Sequence, residues 1–308
     1  MNRFYPNCRF FSLGRPLVFA HRGGRELAPE NTIAAFDRGL AFGADGLELD
    51  VRLTRDGVVV VLHDPTLDRT TNLQGRIDAW SSADLARADA GYSFRSGEQF
   101  PYRGAGIGVP TLENVLNRYP DIPLIVELKT GSLALARATV DLVRRAGALD
   151  RVCLGSFSWQ ALRHVRRLEP AVATSASRVE VRVALYRALC GWPVSRVRYG
   201  GFQVPEWAGL TRVVSPRFID AAHGADLVVQ VWVVNTRADA RRLLEWGVDA
   251  LITDRPDLIV PTVRQLVERG IVHAITPESG APAGIPRPAS PASTSLSEYS
   301  AGLGDTTR

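Results

Sequence analysis

Only one lysine, Lys129, occurs among the 37 basic residues of this 308-residue chain, the rest being arginine. An exposed cation needs only charge and solvation. The surviving lysine is therefore either chance or a place where a compact ammonium does what a planar guanidinium fork cannot. Cysteine is almost as scarce: Cys8, Cys153 and Cys190 are odd in number and widely spaced. They argue against a disulfide framework and a thiolate zinc cluster, and they fit a reducing compartment. No run reaches the roughly 18 apolar residues of a spanning helix. The early apolar runs are broken by Pro6, Asn7, Arg9, Gly14, Arg15 and Pro16, so no signal-peptide core is expected. A cytoplasmic protein is expected, with contact at a membrane surface left open. Charge is nearly balanced, 37 basic against 32 acidic residues for a net +5. A nucleic-acid binder more usually concentrates its basic residues on one element, so no nucleic-acid partner is expected.

With 45% hydrophobic and 22% charged residues, the chain can bury a sizeable core. Short runs rich in β-branched residues alternate with amphipathic segments from residue 17 to about 270, the pattern of parallel βα units. Strands are predicted at 17–21, 46–51, 123–128, 152–157, 171–174, 201–204, 228–234 and 249–253. Helices are predicted at 31–42, 111–119, 133–146, 158–168, 216–223 and 236–246. Eight such strands point to a (β/α)8 TIM barrel, and the lack of a Gly-rich dinucleotide fingerprint disfavours a doubly wound sheet. Thr54-Arg55-Asp56-Gly57 turns the chain into a further β run, Val58 to Leu62, as in a hairpin. Residues 64–110 are too long for a simple connection and are read as a small insertion. The barrel is bounded at 17–275, after an N-terminal extension at 1–16. The Pro-, Ala- and Ser-rich stretch 276–308 is expected to be disordered.

In a parallel barrel, chemistry gathers where strands end. The first strand ends in His21-Arg22-Gly23-Gly24, and the hairpin run ends in His63-Asp64. Glu48 and Asp50 are two residues apart on one face of the second strand, as are Glu127 and Lys129 on the third. Each pair alone fits a structural ion pair, since buried charges are rarely left unpaired. Together, three carboxylates in one barrel mouth would repel strongly without a cation, and all-oxygen ligands favour a hard ion such as Mg²⁺ or Ca²⁺. Two histidines, an arginine and a lysine around such an ion form a coherent set for phosphodiester cleavage by general acid and base.

The string HRGGRELAPENTIAAFDRGLAFGADGLELDVRLTRDGVVVVLHD, followed by VELK, VWVVN and ITDRP, resembles the glycerophosphodiester phosphodiesterase family over about residues 17–265. The resemblance implies a TIM barrel with His21 and His63 as general acid and base. It implies Glu48, Asp50 and Glu127 as ligands of one divalent cation, and Arg22 and Lys129 as phosphate contacts. Trp232 resembles an aromatic used against the glycerol moiety, and also fits core packing. The implied reaction releases glycerol phosphate and an alcohol, through attack by the substrate's neighbouring hydroxyl to give a cyclic phosphate. HRGG, with two glycines, also resembles lysophospholipase D-type members, which leaves a small-molecule or a lysolipid phosphodiester as substrate. A sphingomyelinase D-like enzyme with a cyclic phosphate product is the alternative. Glu30, Asn31, Asp64 and Asp254 fit helix-start, turn or ion-pair roles as well as the site. Residues 178–198 combine apolar and arginine residues, read as a barrel helix or a lipid contact. The sequence leaves the oligomeric state open.

Overall fold

Alternation along the first strand, Leu17–His21 (β1), sets the layout. Leu17 and Phe19 join a buried cluster with Ile125, Cys153, Ala173, Ala250 and Ile252, while Val18 and Ala20 point the other way, into clusters shared with helices. The structure, a computed structural model, describes Tyr5, Cys8 and residues 15–272. The expected tail 276–308, His273 and most of the 1–16 extension lie outside the described residues.

The strands continue as Gly46–Leu53 (β2), Val59–Val61 (β3), Leu124–Leu128 (β4), Val152–Gly155 (β5), Ala173–Thr174 (β6) and Gly201–Pro205 (β7). Trp207–Ala208 (β8), Thr211–Arg212 (β9), Val228–Trp232 (β10) and Ala250–Thr253 (β11) complete them. The helices are Ile33–Ala41 (α1), Ser82–Ala86 (α2), Leu112–Arg118 (α3), Leu133–Arg145 (α4), Trp159–Leu168 (α5), Arg178–Cys190 (α6), Pro216–His223 (α7), Arg237–Glu245 (α8) and Pro256–Glu268 (α9). Parallel pairing runs β6, β5, β4, β2, β1, β11, β10, β7, and a parallel bridge from Ser175 to Gly201 joins the two ends. The chain is thus an eight-stranded parallel TIM barrel ringed by helices.

Inside the ring, space decides identity. A side chain at Gly46 would place its Cβ 2.4 Å from the Phe19 ring, so even alanine there would overpack the core by about 1–3 kcal/mol. Tyr5 and Cys8 belong to this interior cluster, and the Tyr5 hydroxyl lies 3.3 Å from Thr174 Oγ1.

The hairpin after β2 forms as expected, with β3 antiparallel to it and Gly57 at φ +76° in the turn. The segment 64–110 contains a 3-10 turn, Ile77–Ala79, and α2, over an apolar cluster of Val60, Leu62, Leu67, Ile77, Leu85 and Val109. Its length is therefore filled by packing. Three details differ from expectation. β6 is only two residues long, with Ser175 making the closing bridge. A short hairpin, β8 and β9, turns at Gly209 (φ +61°) with exposed residues that carry no alternation signal. α9 follows the last strand although it contains Pro261, a residue that reads as a helix breaker.

Candidate active site

The inward faces of the strands carry the polar residues to one end. His21 follows Leu17 and Phe19 in register, Glu48 and Asp50 follow Gly46, and Glu127 follows Ile125. A cavity of 230 Å³ opens there, lined by His21, Arg22, Glu48, His63, Glu127 and Lys129, with Phe157 and Trp232 also on its wall. Asp50 lies beneath it at 1% exposure. The six charged or ionisable residues suggested by sequence, together with Asp50 and Trp232, thus converge on one place. Trp232 packs on the interior cluster and also lines the cavity, edge-on to Phe157 at 6.3 Å.

Glu48, Asp50 and Glu127 each present an oxygen, and these oxygens lie within 4.8 Å of one another. Asp50 Oδ1 and Glu127 Oε1 are buried without a hydrogen-bond partner. Lys129 Nζ stands 3.3 Å and 3.1 Å from them. Burial, with repulsion from Asp50 and Glu127, pushes the Glu48 carboxyl well above the usual carboxylate range, against the pull of Arg22. Burial also raises Glu127, since the charge of Asp50 adds to it and Lys129 only partly offsets it. Burial opposes ionisation of Asp50 too, but Arg22, Lys129 and His63 outweigh it and hold that group below its ordinary value. Three buried carboxylates crowded around a single ammonium fit a hard divalent cation.

Neighbouring groups hold these carboxylates. Asn31 Nδ2 donates to Asp50 Oδ2 at 2.9 Å, and the Arg22 amide donates to Glu48 Oε2 at 3.1 Å. Arg22 Nε lies 3.1 Å from Asp50 Oδ2, and its Nη1 donates to Glu30 at 2.8 Å. Glu30 in turn accepts from Arg69, at 2.7 Å and 2.8 Å.

Both histidines are oriented alike. His21 Nδ1 is 2.6 Å from Asp254 Oδ1, and His63 Nδ1 is 2.6 Å from Asp64 Oδ1. That leaves each Nε2 as the free ring nitrogen, with His21 Nε2 3.7 Å from Glu48 Oε2. Asp254 is steadied by Asn235 Nδ2 at 3.0 Å and Arg25 Nε at 3.1 Å. Burial opposes its ionisation, but bonds from His21 and Asn235 and the charge of Arg25 keep its pKa lowered. Burial lowers the pKa of His63, with Arg22 and Lys129 adding to the effect, and outweighs Asp50 and Asp64.

Sequence reasoning left four of these groups undecided. Asp254 does not pair with Arg255, which goes to Asp257 at 2.7 Å; it pairs with His21 and Arg25. Thr32 caps α1, leaving Asn31 (φ +59°) to serve Asp50. Asp64 orients His63, and Glu30 bridges Arg22 to Arg69. The second glycine of HRGG is required by the backbone, because Gly24 sits at φ +95° and a Cβ there would lie 3.0 Å from Pro256. It therefore carries no information about a lipid substrate. His223 lies away from the cavity and pairs with Asp249 at 2.9 Å.

The glycerophosphoryl diester phosphodiesterase family, as a sequence model, matches residues 21–258. A glycerophosphodiester phosphodiesterase of Caldanaerobacter subterraneus subsp. tengcongensis is 33% identical over 261 residues, covering 82% of this chain and 99% of that protein. A glycerophosphodiester phosphodiesterase of Bacillus subtilis is 32% identical, covering 79% of this chain and 85% of that one. Among solved structures, an Oleispira antarctica phosphodiesterase in complex with the product sn-glycerol-3-phosphate matches with a TM-score of 0.66 at 27% identity, covering 81% of this chain and 97% of that one.

Proposed function

The chain belongs to the glycerophosphoryl diester phosphodiesterase family, which makes it a phosphoric diester hydrolase, and we propose that it cleaves glycerophosphodiesters to glycerol phosphate and an alcohol with His63 as general base and His21 as general acid. The observation that carries this reading is the matched pair of histidines, each bound through Nδ1 to a carboxylate and each lining the same cavity. The sn-glycerol-3-phosphate held by the Oleispira relative supports glycerol phosphate as the product side.

Glu48, Asp50 and Glu127 would hold one divalent cation, Mg²⁺ or Ca²⁺. When bound, that ion would neutralise charge on the phosphate oxygens. Lys129 and Arg22 face the same cavity and would hold the remaining phosphate charge. His63, kept neutral by its lowered pKa, takes at Nε2 the proton of the substrate's neighbouring hydroxyl as that oxygen attacks phosphorus and the alcohol leaves, and a water then opens the cyclic phosphate to glycerol phosphate. Asp254 holds His21 through Nδ1, so that Nε2 is the nitrogen turned to the leaving alkoxide, to which His21 gives a proton as general acid. Trp232 and Phe157 form the apolar wall against which the carbon skeleton of the substrate rests. No observation favours the lysophospholipase D or sphingomyelinase D-like alternative.

The test is turnover of sn-glycero-3-phosphocholine by wild type, His21→Ala and His63→Ala, each after chelation and after reloading with Mg²⁺ or Ca²⁺. General acid–base groups contribute about 10²–10⁴-fold, and losses in that range are expected for each variant. Unchanged turnover in either variant would remove that histidine from the mechanism.

A further inference from the structure

A barrel helix ordinarily turns its large apolar side chains inward. α6 does so only in part, with Val181 and Leu185 packed against the core. It buries Ala184 and Ala188, while Val179, Val183, Tyr186 and Leu189 are each more than half exposed. Spacings of four, three and three residues put those four on one outer stripe. Trp192, just past the helix end, extends the stripe, edge-on to Tyr186 at 6.1 Å. The reading of residues 178–198 as a plain covering helix therefore accounts for the buried alanines and not for the outer face.

Beside the stripe, between α5 and α6, lies a second cavity of 640 Å³, within the size range of ligand sites. Val179 and Val183 form part of its wall, and Arg163, Arg167, Arg196 and Arg198 surround it. Its one carboxylate, Glu180, is taken by Arg166 at 2.7 Å. Among the described residues, no carboxylate pairs with those four arginines or with the exposed Arg182 on α6. An apolar stripe rimmed by uncompensated cations matches an anionic lipid surface, where acyl chains meet the stripe and phosphates meet the arginines. A second copy of the chain fits less well, because a two-fold contact would set these arginines against one another.

We propose that α6 and the arginine-rimmed cavity beside it form a docking surface for a bilayer containing anionic phospholipid. The surface begins at the catalytic mouth: Arg178, the first residue of α6, lies 4.9 Å over the ring of Phe157, which lines the catalytic cavity. The docking surface thus borders that mouth at the start of α6. Its test needs no turnover, so it stands apart from the catalytic assignment.

The experiment is cosedimentation of the full chain with vesicles of phosphatidylcholine alone and of phosphatidylcholine mixed with phosphatidylglycerol. Wild type is expected to pellet with the mixed vesicles and not with the neutral ones. Leu189→Glu and, separately, the double variant Arg182→Glu/Arg196→Glu should each lose about tenfold or more in vesicle affinity. Both should keep the wild-type melting temperature and turnover of soluble sn-glycero-3-phosphocholine. Pelleting with neither vesicle, equal pelleting with both, or unchanged pelleting of the variants would overturn the proposal. So would a dimer in solution that Leu189→Glu dissociates, or retention on immobilised polyglutamate without vesicle binding, which would assign the surface to a second copy or an acidic protein instead.

Discussion

Asp254→Asn tests the orientation of His21 with little change in shape. The carboxylate accepts from His21 Nδ1 at 2.6 Å, is held by Asn235 and Arg25, and sits at 1% exposure, so an amide of equal size fits the same space. What changes is charge and donor sense. A hydrogen bond to a charged group contributes about 1.5–3 kcal/mol, so losing its charged character would reduce the rate by up to roughly 10²-fold if the ring stayed in place. An asparagine can also turn its amide toward Nδ1, which would place the imidazole proton on Nε2 and leave Nδ1 as acceptor. The ring would then lose the support that lets it hold a second proton, and the loss approaches the about 10²–10⁴-fold worth of a general acid. The expected result is a kcat lowered by roughly 10²–10³-fold with KM nearly unchanged. Rates on sn-glycero-3-phosphocholine, measured beside melting curves, would show this. A correctly folded Asp254→Asn protein with kcat within about tenfold of wild type would refute the assignment of His21 as the proton donor.

Chelation should abolish turnover and Mg²⁺ or Ca²⁺ should restore it. Asn31→Ala, which frees Asp50, should raise the metal concentration needed for half-activity by about 10–100-fold, read by metal titration with calorimetry. Lys129→Arg should fold normally yet lose most turnover, because a guanidinium can take Glu127 bidentately; near-normal activity would mark the lysine as chance survival. Because the His63 pKa is lowered, the neutral base persists as pH falls, so the acid limb of kcat/KM should lie below the ordinary histidine value of about 6.5. Asp64→Asn removes a contribution that raises this pKa, and so should move that limb to still lower pH, read from pH–rate profiles.

Period-two spacing made the central ligands legible. Glu48 and Asp50, and Glu127 and Lys129, had to share a face once their strands were assigned, and an alternation of strands and helices sufficed to assign them. Asp254 was harder because its partner is 233 residues away in sequence. A signal did exist: in a closed barrel the last strand lies beside the first, and Ala20 pairs with Thr253, bringing the two strand ends together. Asn31 was masked by the helix-start chemistry of Thr32 next to it. The direction of α6 could not be read because both its faces are apolar, small residues on one and large on the other. Only packing shows that the small ones are buried.

Charge explains why a lysine, a metal and a phosphodiester belong together here. With all three ionised, as metal ligation requires, the carboxylates outnumber Arg22 and Lys129 by one negative charge, and Arg69 answers only one of the two further charges on Glu30 and Asp64. A phosphodiester, itself singly negative, would be repelled by that site. A divalent cation would add two positive charges and cancel that excess. This holds only if the cation near Asp50 and Glu127 leaves their oxygens free to ligate. A compact ammonium at 3.1 Å and 3.3 Å can serve both carboxylates from one side without enclosing either, whereas a planar fork would bind one of them along both oxygens. On the proposed reading the site calls for lysine by its shape, since arginine would supply the charge equally well.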